Sequence, residues 1–368
     1  MTDYTPAKPI RKRLEKLRSA IEGARRIWIL LHDGPDPDAM AGGMLMQRVV
    51  EDGFGREARI TYGGIIGRPD NRAMPDLLGI TMFHVESIDV MPGDRFVCVD
   101  TQPVFTNNSL PEGAEVAAVI DHHPREEGFV ASYVDVRPEM GSVSTIGMEY
   151  LRALGLEITR PVATAVAYAI ISETEDLGRA VSPADLRTYM RVLQKADHLV
   201  IGQLRHPRVE RRFFRTLTAA LKAAQVCEDV VISHLADINA PDELARVADI
   251  LNPLADTRWV LCTGLQNNTM IVTLRSSDTQ ANAERLMVDL LAGRGGGGGH
   301  GMVAGGQFEL KEDEEPRQVR RKLTRRFLQG CGYSGDEDRE PLLQPPPEDL
   351  IPPEKQGLTA DDGSGSRS

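Results

Sequence analysis

The sequence predicts an α/β protein, with an N-terminal domain on a doubly wound, mostly parallel sheet and a smaller C-terminal α/β domain. Three observations carry this reading. The short apolar runs Ile27–Leu31, Arg95–Val99 and Glu115–Ile120 alternate with helical stretches, the pattern of strands joined by crossover helices. Each of these runs stops at polar residues: His32, Asp100 and Asp121. Beyond residue 228 the pattern changes to closely spaced strands, with a boundary expected within 200–228.

The elements follow in order. Apolar residues at Ile10, Leu14, Leu17 and Ile21, with charges between them, predict an amphipathic helix over 10–23. The Ile27–Leu31 strand breaks at His32-Asp33-Gly34-Pro35-Asp36-Pro37-Asp38, where two prolines and a glycine forbid regular structure. A helix is expected over Ala39–Val50, with Gly42 and Gly43 allowing close approach to a neighbour. Then come a strand at Glu57–Tyr62, a short helix around Ala73–Leu78 and the strands ending at Asp100 and Asp121. Helices follow over Ser142–Leu154, Pro161–Ser172, Pro183–Ala196 and, longest, Arg208–Cys227. In the second domain, Val230–Ile232, Arg258–Leu265 and Met270–Leu274 read as strands. Pro241–Leu251 and Ala281–Leu291 read as helices, Asn267-Asn268 as a hairpin turn, and Arg317–Leu328 as a last basic helix. The expected domains are 1–205, a linking helix at 206–228, 229–330, and an acidic, proline-rich, disordered tail at 331–368.

Composition narrows the function. Forty-three basic against 54 acidic residues give −11 over 368 residues, which argues against a surface for duplex nucleic acid. A small anion held through metal ions remains compatible with that charge. The four cysteines (98, 227, 262 and 331) form no C-x-x-C pair and read as reduced packing residues. No run approaches the ~18–20 apolar residues that cross a bilayer, and no signal core follows the basic N-terminus. A cytoplasmic protein without a membrane role is expected.

The chemistry-bearing residues gather at predicted strand ends, where ligands bind in open α/β sheets. His32, Asp36 and Asp38 share one strand-to-helix loop. Asp100 ends a second strand, and Asp121-His122-His123-Pro124 follows a third. Either aspartate of the loop could instead cap the following helix, and a histidine pair could merely bond a loop. Together, however, His32, Asp36, Asp38, Asp100 and His122 are oxygen and imidazole ligands without a thiolate, suited to Mn²⁺ or a similar ion. Five such groups exceed one metal's need, and two ions ~3.5–4 Å apart would use them all. The reaction class would be phosphoester hydrolysis.

A second feature is Gly293–Gly301, interrupted by Arg294 and His300 and followed by Met302-Val303-Ala304-Gly305-Gly306. Consecutive glycines let the backbone approach an anion and point N–H groups at it. A flexible linker is the plain alternative, but the placed histidine and apolar residues favour the binding reading.

In this order, the segments from His32 to Ala39, Asp100-Thr101-Gln102-Pro103, Asp121-His122-His123-Pro124 and Gly298–Gly306 resemble the DHH phosphoesterase superfamily with a DHH-associated domain of the first type. The likeness covers roughly residues 20–310. It implies an active site in the cleft between the domains and two Mn²⁺ per chain, with Mg²⁺ or Co²⁺ as substitutes. His32 and Asp36 would hold the first ion, Asp38 and His122 the second, and Asp100 would bridge them. Asp121 would orient neighbouring groups and His123 contact the substrate phosphate. Arg275, Ser276, Gly298, Gly299 and His300 would hold the phosphate or base end of a nucleotide. The family's further Asp for the second ion is replaced here by Glu173, with Asp176 a nearby alternative. Gly34 stands where an Asn is common in similar sequences.

The function expected from the likeness is Mn-dependent hydrolysis of small nucleotides: short oligoribonucleotides, 3′-phosphoadenosine 5′-phosphate or dinucleotides. A short single-stranded oligonucleotide is then the partner, and the family's habit allows a homodimer. The competing reading is a non-catalytic nucleotide-binding regulator whose metal centre has drifted at Glu173.

Overall fold

A computed structural model describes residues 8–343. The chain separates into two compact units, divided between Val209 and Glu210. In the first, α1 (Lys8–Ile21), β1 (Ile27–Leu30), α2 (Pro37–Arg48), β2 (Ala58–Tyr62), α3 (Pro69–Leu78), β3 (Met82–His84), β4 (Arg95–Val99), β5 (Glu115–Asp121), β6 (Tyr133–Val136), α4 (Val143–Ala153), α5 (Arg160–Glu173), α6 (Pro183–Leu193) and α7 (His198–Arg205) follow in order. The strands form one sheet of order β3-β2-β1-β4-β5-β6, and every pair is parallel. The expected parallel α/β domain is therefore present.

Alternation along the strands sorts the side chains into two layers. Ile27, Ile29, Ile60, Val97 and Val99 share a core with apolar residues of α1 to α7. Trp28, Leu30, Phe96 and Cys98 join a smaller cluster whose cover comes from Phe83 and the loop residues Ile88, Leu110 and Phe129. The helices thus gather on one layer. The segments on the other contain Pro103, Pro111, Gly113, Pro124 and Gly128 and form turns instead.

Close packing of α2 sets the site. A Cβ on Gly42 would come within 2.7 Å of Val143 and 2.9 Å of Val99, and one on Gly147 within 2.9 Å of Leu45. These glycines bring the first turn of α2 against the start of α4 and the end of β4.

The second unit contains α8 (Arg211–Ala223), β7 (Gln225–Cys227), β8 (Val230–His234), α9 (Pro241–Leu251), β9 (Trp259–Gln266), β10 (Thr269–Ser276), α10 (Ala283–Leu291), β11 (Gly296–His300), β12 (Val303–Glu309), α11 (Pro316–Gly330) and β13 (Glu340–Pro341). Its sheet runs β11-β12-β10-β9-β8-β7-β13. Only β8 and β9 are parallel among its described pairs.

Two expectations change here and one alternative drops out. The helix expected over Arg208–Cys227 ends at Ala223, because Ala224 is extended and Gln225–Cys227 pairs with β8. The glycine run, for which a flexible linker is the alternative, forms a strand over Gly296–His300. Residues 331–341, expected within the disordered tail, are ordered: the Tyr333 hydroxyl donates to Asp229 and Glu340–Pro341 pairs with β7. The rest of that tail, 344–368, lies outside the described residues. Among the described residues no helix is long and apolar enough to cross a membrane.

Candidate metal centre

The residues read as ligands converge at the C-terminal ends of the parallel strands. His32 lies two residues past β1, Asp100 directly follows β4, and Asp121 closes β5 ahead of His122 and His123. Asp36 is the N-cap of α2, its Oδ1 accepting from the backbone of Asp38 and Ala39 at 2.9 and 3.0 Å. The capping role raised from sequence is therefore real, and it fixes the carboxylate beside His32.

Asp100 joins two sets of donors. Its Oδ2 lies 3.8 Å from His32 Nε2, which is also 3.7 Å from Asp36 Oδ1. Its Oδ1 lies 3.3 Å from His122 Nε2, which is 3.7 Å from Asp38 Oδ2. Asp100 has φ of +60°, a left-handed conformation costing a non-glycine residue of order 1–3 kcal/mol. The strain aims one carboxylate at both histidines.

The imidazole tautomers follow from their other nitrogens. His32 Nδ1 is 3.1 Å from the Asp33 carbonyl and His122 Nδ1 is 3.2 Å from the Met140 carbonyl. A carbonyl only accepts, so each Nδ1 carries hydrogen, and in the neutral ring Nε2 presents a lone pair. Those lone pairs face carboxylates. Asp100 Oδ1 and His122 Nε2 are buried and have no hydrogen-bond partner. An unpartnered buried donor set of this kind fits a divalent cation.

The electrostatics agree. Burial disfavours charge on His32, but the Asp36 and Asp100 carboxylates outweigh it and raise its pKa to about 10. His122 is likewise opposed by burial and held well above the usual range by Asp100 and Asp38. Burial and the like charge of Asp100 push Asp38 up to about 6. Glu173, the last residue of α5, is pushed to about 9 by burial and by Asp36, Asp38 and Asp100. Without a cation, this cluster holds protons in its place. Asp176, the alternative to Glu173, instead forms a surface ion pair with Arg205 at 2.8 Å.

Two further carboxylates are fully engaged. Asp38 is 1% exposed and accepts from Ser142 Oγ and Val143 N at 2.7 Å and from Ser144 N at 3.0 Å. Asp121 accepts from the backbone N–H groups of His122 and His123, from His123 Nδ1 at 2.9 Å, and from Gln102 Nε2 at 2.7 Å. Asp121 thus orients His123, which is half-buried and edge-on to Phe105. Burial opposes charge on His123, yet Asp121 and Asp100 raise its pKa. Ser142, Ser144 and Met140 escaped the sequence reading.

Gly34 has φ of +61°, and a Cβ there would meet the Ile65 carbonyl oxygen at 2.8 Å. Glycine enters this region without cost, and any side chain at this position would require the Ile65 backbone to shift.

The substrate-binding candidates lie in the second unit. Gly298 and Gly299 pair with Gly305 and Ala304, and His300 pairs with Val303. Val303 also pairs with Arg275, so Arg275 and His300 share a row across three strands. Arg275 is buried, its Nε donating to Asp249 at 2.6 Å and its Nη1 to Thr273 and the Leu274 carbonyl. Ser276 Oγ donates to the Arg258 carbonyl. A Cβ at Gly299 would lie 2.2 Å from the Val303 carbonyl oxygen, and one at Gly297 would lie 2.6 Å from Leu291. At Gly298 it would meet nothing within 4 Å.

Residues 228–325 match the DHHA1 domain family. The chain is 29% identical over 337 residues to an uncharacterized protein of Methanocaldococcus jannaschii, covering 89% of this chain and 69% of that one. Its fold is similar to that of an exopolyphosphatase-related protein from Bacteroides fragilis, with a TM-score of 0.67 at 15% identity, covering 87% and 96% of the two chains. It is also similar to RecJ from Thermus thermophilus in complex with Mn²⁺, with a TM-score of 0.53 at 18% identity. That match spans 89% of this chain and 55% of RecJ.

Proposed function

We propose that this protein is a Mn²⁺-dependent phosphoesterase acting on small nucleotides through two metal ions. The observation that carries the reading is Asp100, whose two oxygens face separate histidine–carboxylate sets, one of them with unpartnered buried atoms. His32 and Asp36 would hold one ion, Asp38, His122 and Glu173 the other, and Asp100 both. The likeness to a Mn²⁺-bound RecJ supports the choice of metal. Such ions supply an acidified water and neutralise phosphoryl oxygens.

The chain's own residues supply the remainder. Asp121 holds His123 with its Nδ1 occupied, which leaves Nε2 to donate to a substrate phosphate when the ring is charged. Gly298 has no steric reason to lack a side chain. In this reading its bareness admits a phosphate or base, with Gly299 and His300 completing the strand and Arg275 and Ser276 fixing the neighbouring one. Short oligoribonucleotides, 3′-phosphoadenosine 5′-phosphate and dinucleotides are the substrates proposed.

The test is release of phosphate or mononucleotide with Mn²⁺ from 3′-phosphoadenosine 5′-phosphate, a diribonucleotide, a cyclic dinucleotide and a short single-stranded DNA, beside His122→Ala. Cleavage of a small nucleotide, lost in the variant, is the expected result. No cleavage of any compound together with fewer than two bound ions would favour a nucleotide-binding regulator instead.

A further inference from the structure

Two of the ligands assigned above to the second ion, Asp38 and His122, come from distant elements, yet one short segment orients both. The Met140 carbonyl accepts from His122 Nδ1. Ser142 Oγ, Val143 N and Ser144 N donate to Asp38. These contacts lie within Met140–Ser144, the turn that enters α4. A turn that aims two ligands must itself be held, and its own hydrogen bonds show by what.

Asp185, in the first turn of α6, is fully buried. Its Oδ2 accepts from Gly141 N at 2.8 Å and from Ser182 N at 2.7 Å, and its Oδ1 accepts from Thr145 Oγ1 at 2.5 Å. Ser182 Oγ accepts in return from Asp185 N and closes a capping box. The carboxylate therefore grips the segment at both ends, at Gly141 and Thr145, with the ligand-orienting atoms of Ser142, Val143 and Ser144 between them. Contact is tight enough to dictate sequence: a Cβ on Gly141 would meet Asp185 Oδ2 at 2.9 Å and the Ala180 carbonyl oxygen at 2.4 Å. The same Cβ would lie 3.2 Å from Thr174, the residue after Glu173.

We propose that Asp185 is a positioning residue for the second ion, acting through Met140–Thr145 on Asp38 and His122. This rests on the two-ion reading. Charged acceptors form the stronger hydrogen bonds, and here one carboxylate serves three donors of two elements. His32 and Asp36 of the first ion are oriented by the Asp33 carbonyl and the start of α2, outside this grip. The two ions should therefore respond differently to its loss.

The experiment titrates Mn²⁺ into the full-length wild type, Asp185→Asn and the milder Thr145→Val, by calorimetry and electron paramagnetic resonance. Apo unfolding temperatures are recorded alongside. Wild type should bind two spin-coupled ions. Asp185→Asn should weaken the second by about 10–100-fold, the range for groups that orient a metal's ligands, leave the first unchanged and lose the coupled signal. Thr145→Val should show a smaller loss at the same ion, and Thr145→Ser should restore it. Unchanged affinity at both ions, or equal weakening of both with a lowered unfolding temperature, would overturn the proposal. Fewer than two ions in wild type would overturn the metal reading itself. In that case the His122 ring ¹⁵N–¹H signals of the metal-free protein decide: loss of the Nδ1–H hydrogen bond to the Met140 carbonyl in Asp185→Asn supports positioning, and its retention refutes it.

Discussion

The centre at the strand ends and two enclosed side chains of the second unit, His234 and Arg275, make opposite use of the same chemistry. Around Asp100, buried groups face each other with partners missing, and like charges are stacked until Glu173 and Asp38 resist ionisation. In the second unit, His234 is also enclosed, but Nδ1 meets Thr263 Oγ1 and Nε2 meets Thr324 Oγ1, both at 2.7 Å. Arg275 is similarly satisfied by Asp249, Thr273 and Leu274. Satisfied polar groups build a scaffold, whereas unsatisfied ones mark where something else must bind.

The sharpest way to break this comparison is to remove the shared ligand. Asp100→Asn should abolish binding of both ions, a loss of affinity exceeding the ~100-fold typical of an orienting group, as read by Mn²⁺ titration. Retention of one tight ion would show that Asp100 bridges nothing.

Protons come next. At neutral pH without metal, His32 and Glu173, raised to about 10 and about 9, and His122, held well above its usual range, are expected to carry protons. Binding of divalent ions should displace all three. Calorimetry in buffers of different ionisation enthalpy should count these protons released, and no release would contradict the assignment.

The two regions should also respond to pH with opposite sign. His32 and Glu173 bind protons more tightly folded than unfolded, so they favour the metal-free fold at lower pH. That contribution fades as pH climbs, through about 4.5–9 for Glu173 and about 6.5–10 for His32. Burial and Arg320 lower His234 to about 4, so its unfolded form binds the proton more tightly and stability falls as pH drops from about 6.5 towards 4. Thermal unfolding across the range from about 4 to about 10 should show both slopes, and Mn²⁺ should flatten the alkaline one alone. His234→Gln should reduce the acid slope only.

The smallest effect expected is from Arg275→Ala. It should cost about 1–3 kcal/mol of stability in the second unit, as lost charged hydrogen bonds do, without changing Mn²⁺ affinity. A raised KM at unchanged stability would move Arg275 from scaffold to substrate contact.

Much of this was legible in the sequence for a physical reason. The apolar runs before His32, Asp100 and Asp121 are strands buried on both layers, and such runs announce themselves locally. The ligands stand at their ends because parallel strands deliver their C-termini to one edge. What stayed hidden depends on distant partners. β3 and β6 are edge strands of three and four residues. β11 is nearly all glycine, a residue with little strand preference, and forms only because β12 pairs with it and α10 packs against Gly297 and Gly306. The clamp on Asp38 joins it to Ser142 and Ser144, more than 100 positions away in chain order, which periodicity cannot reveal.

The central claim is a two-ion centre bridged by Asp100. Anomalous diffraction from Mn²⁺-soaked crystals of the full chain tests it most directly. The account predicts two peaks, one beside His32 and Asp36 and one beside His122 and Asp38, both in contact with Asp100. A single peak, or none at these residues, would contradict it.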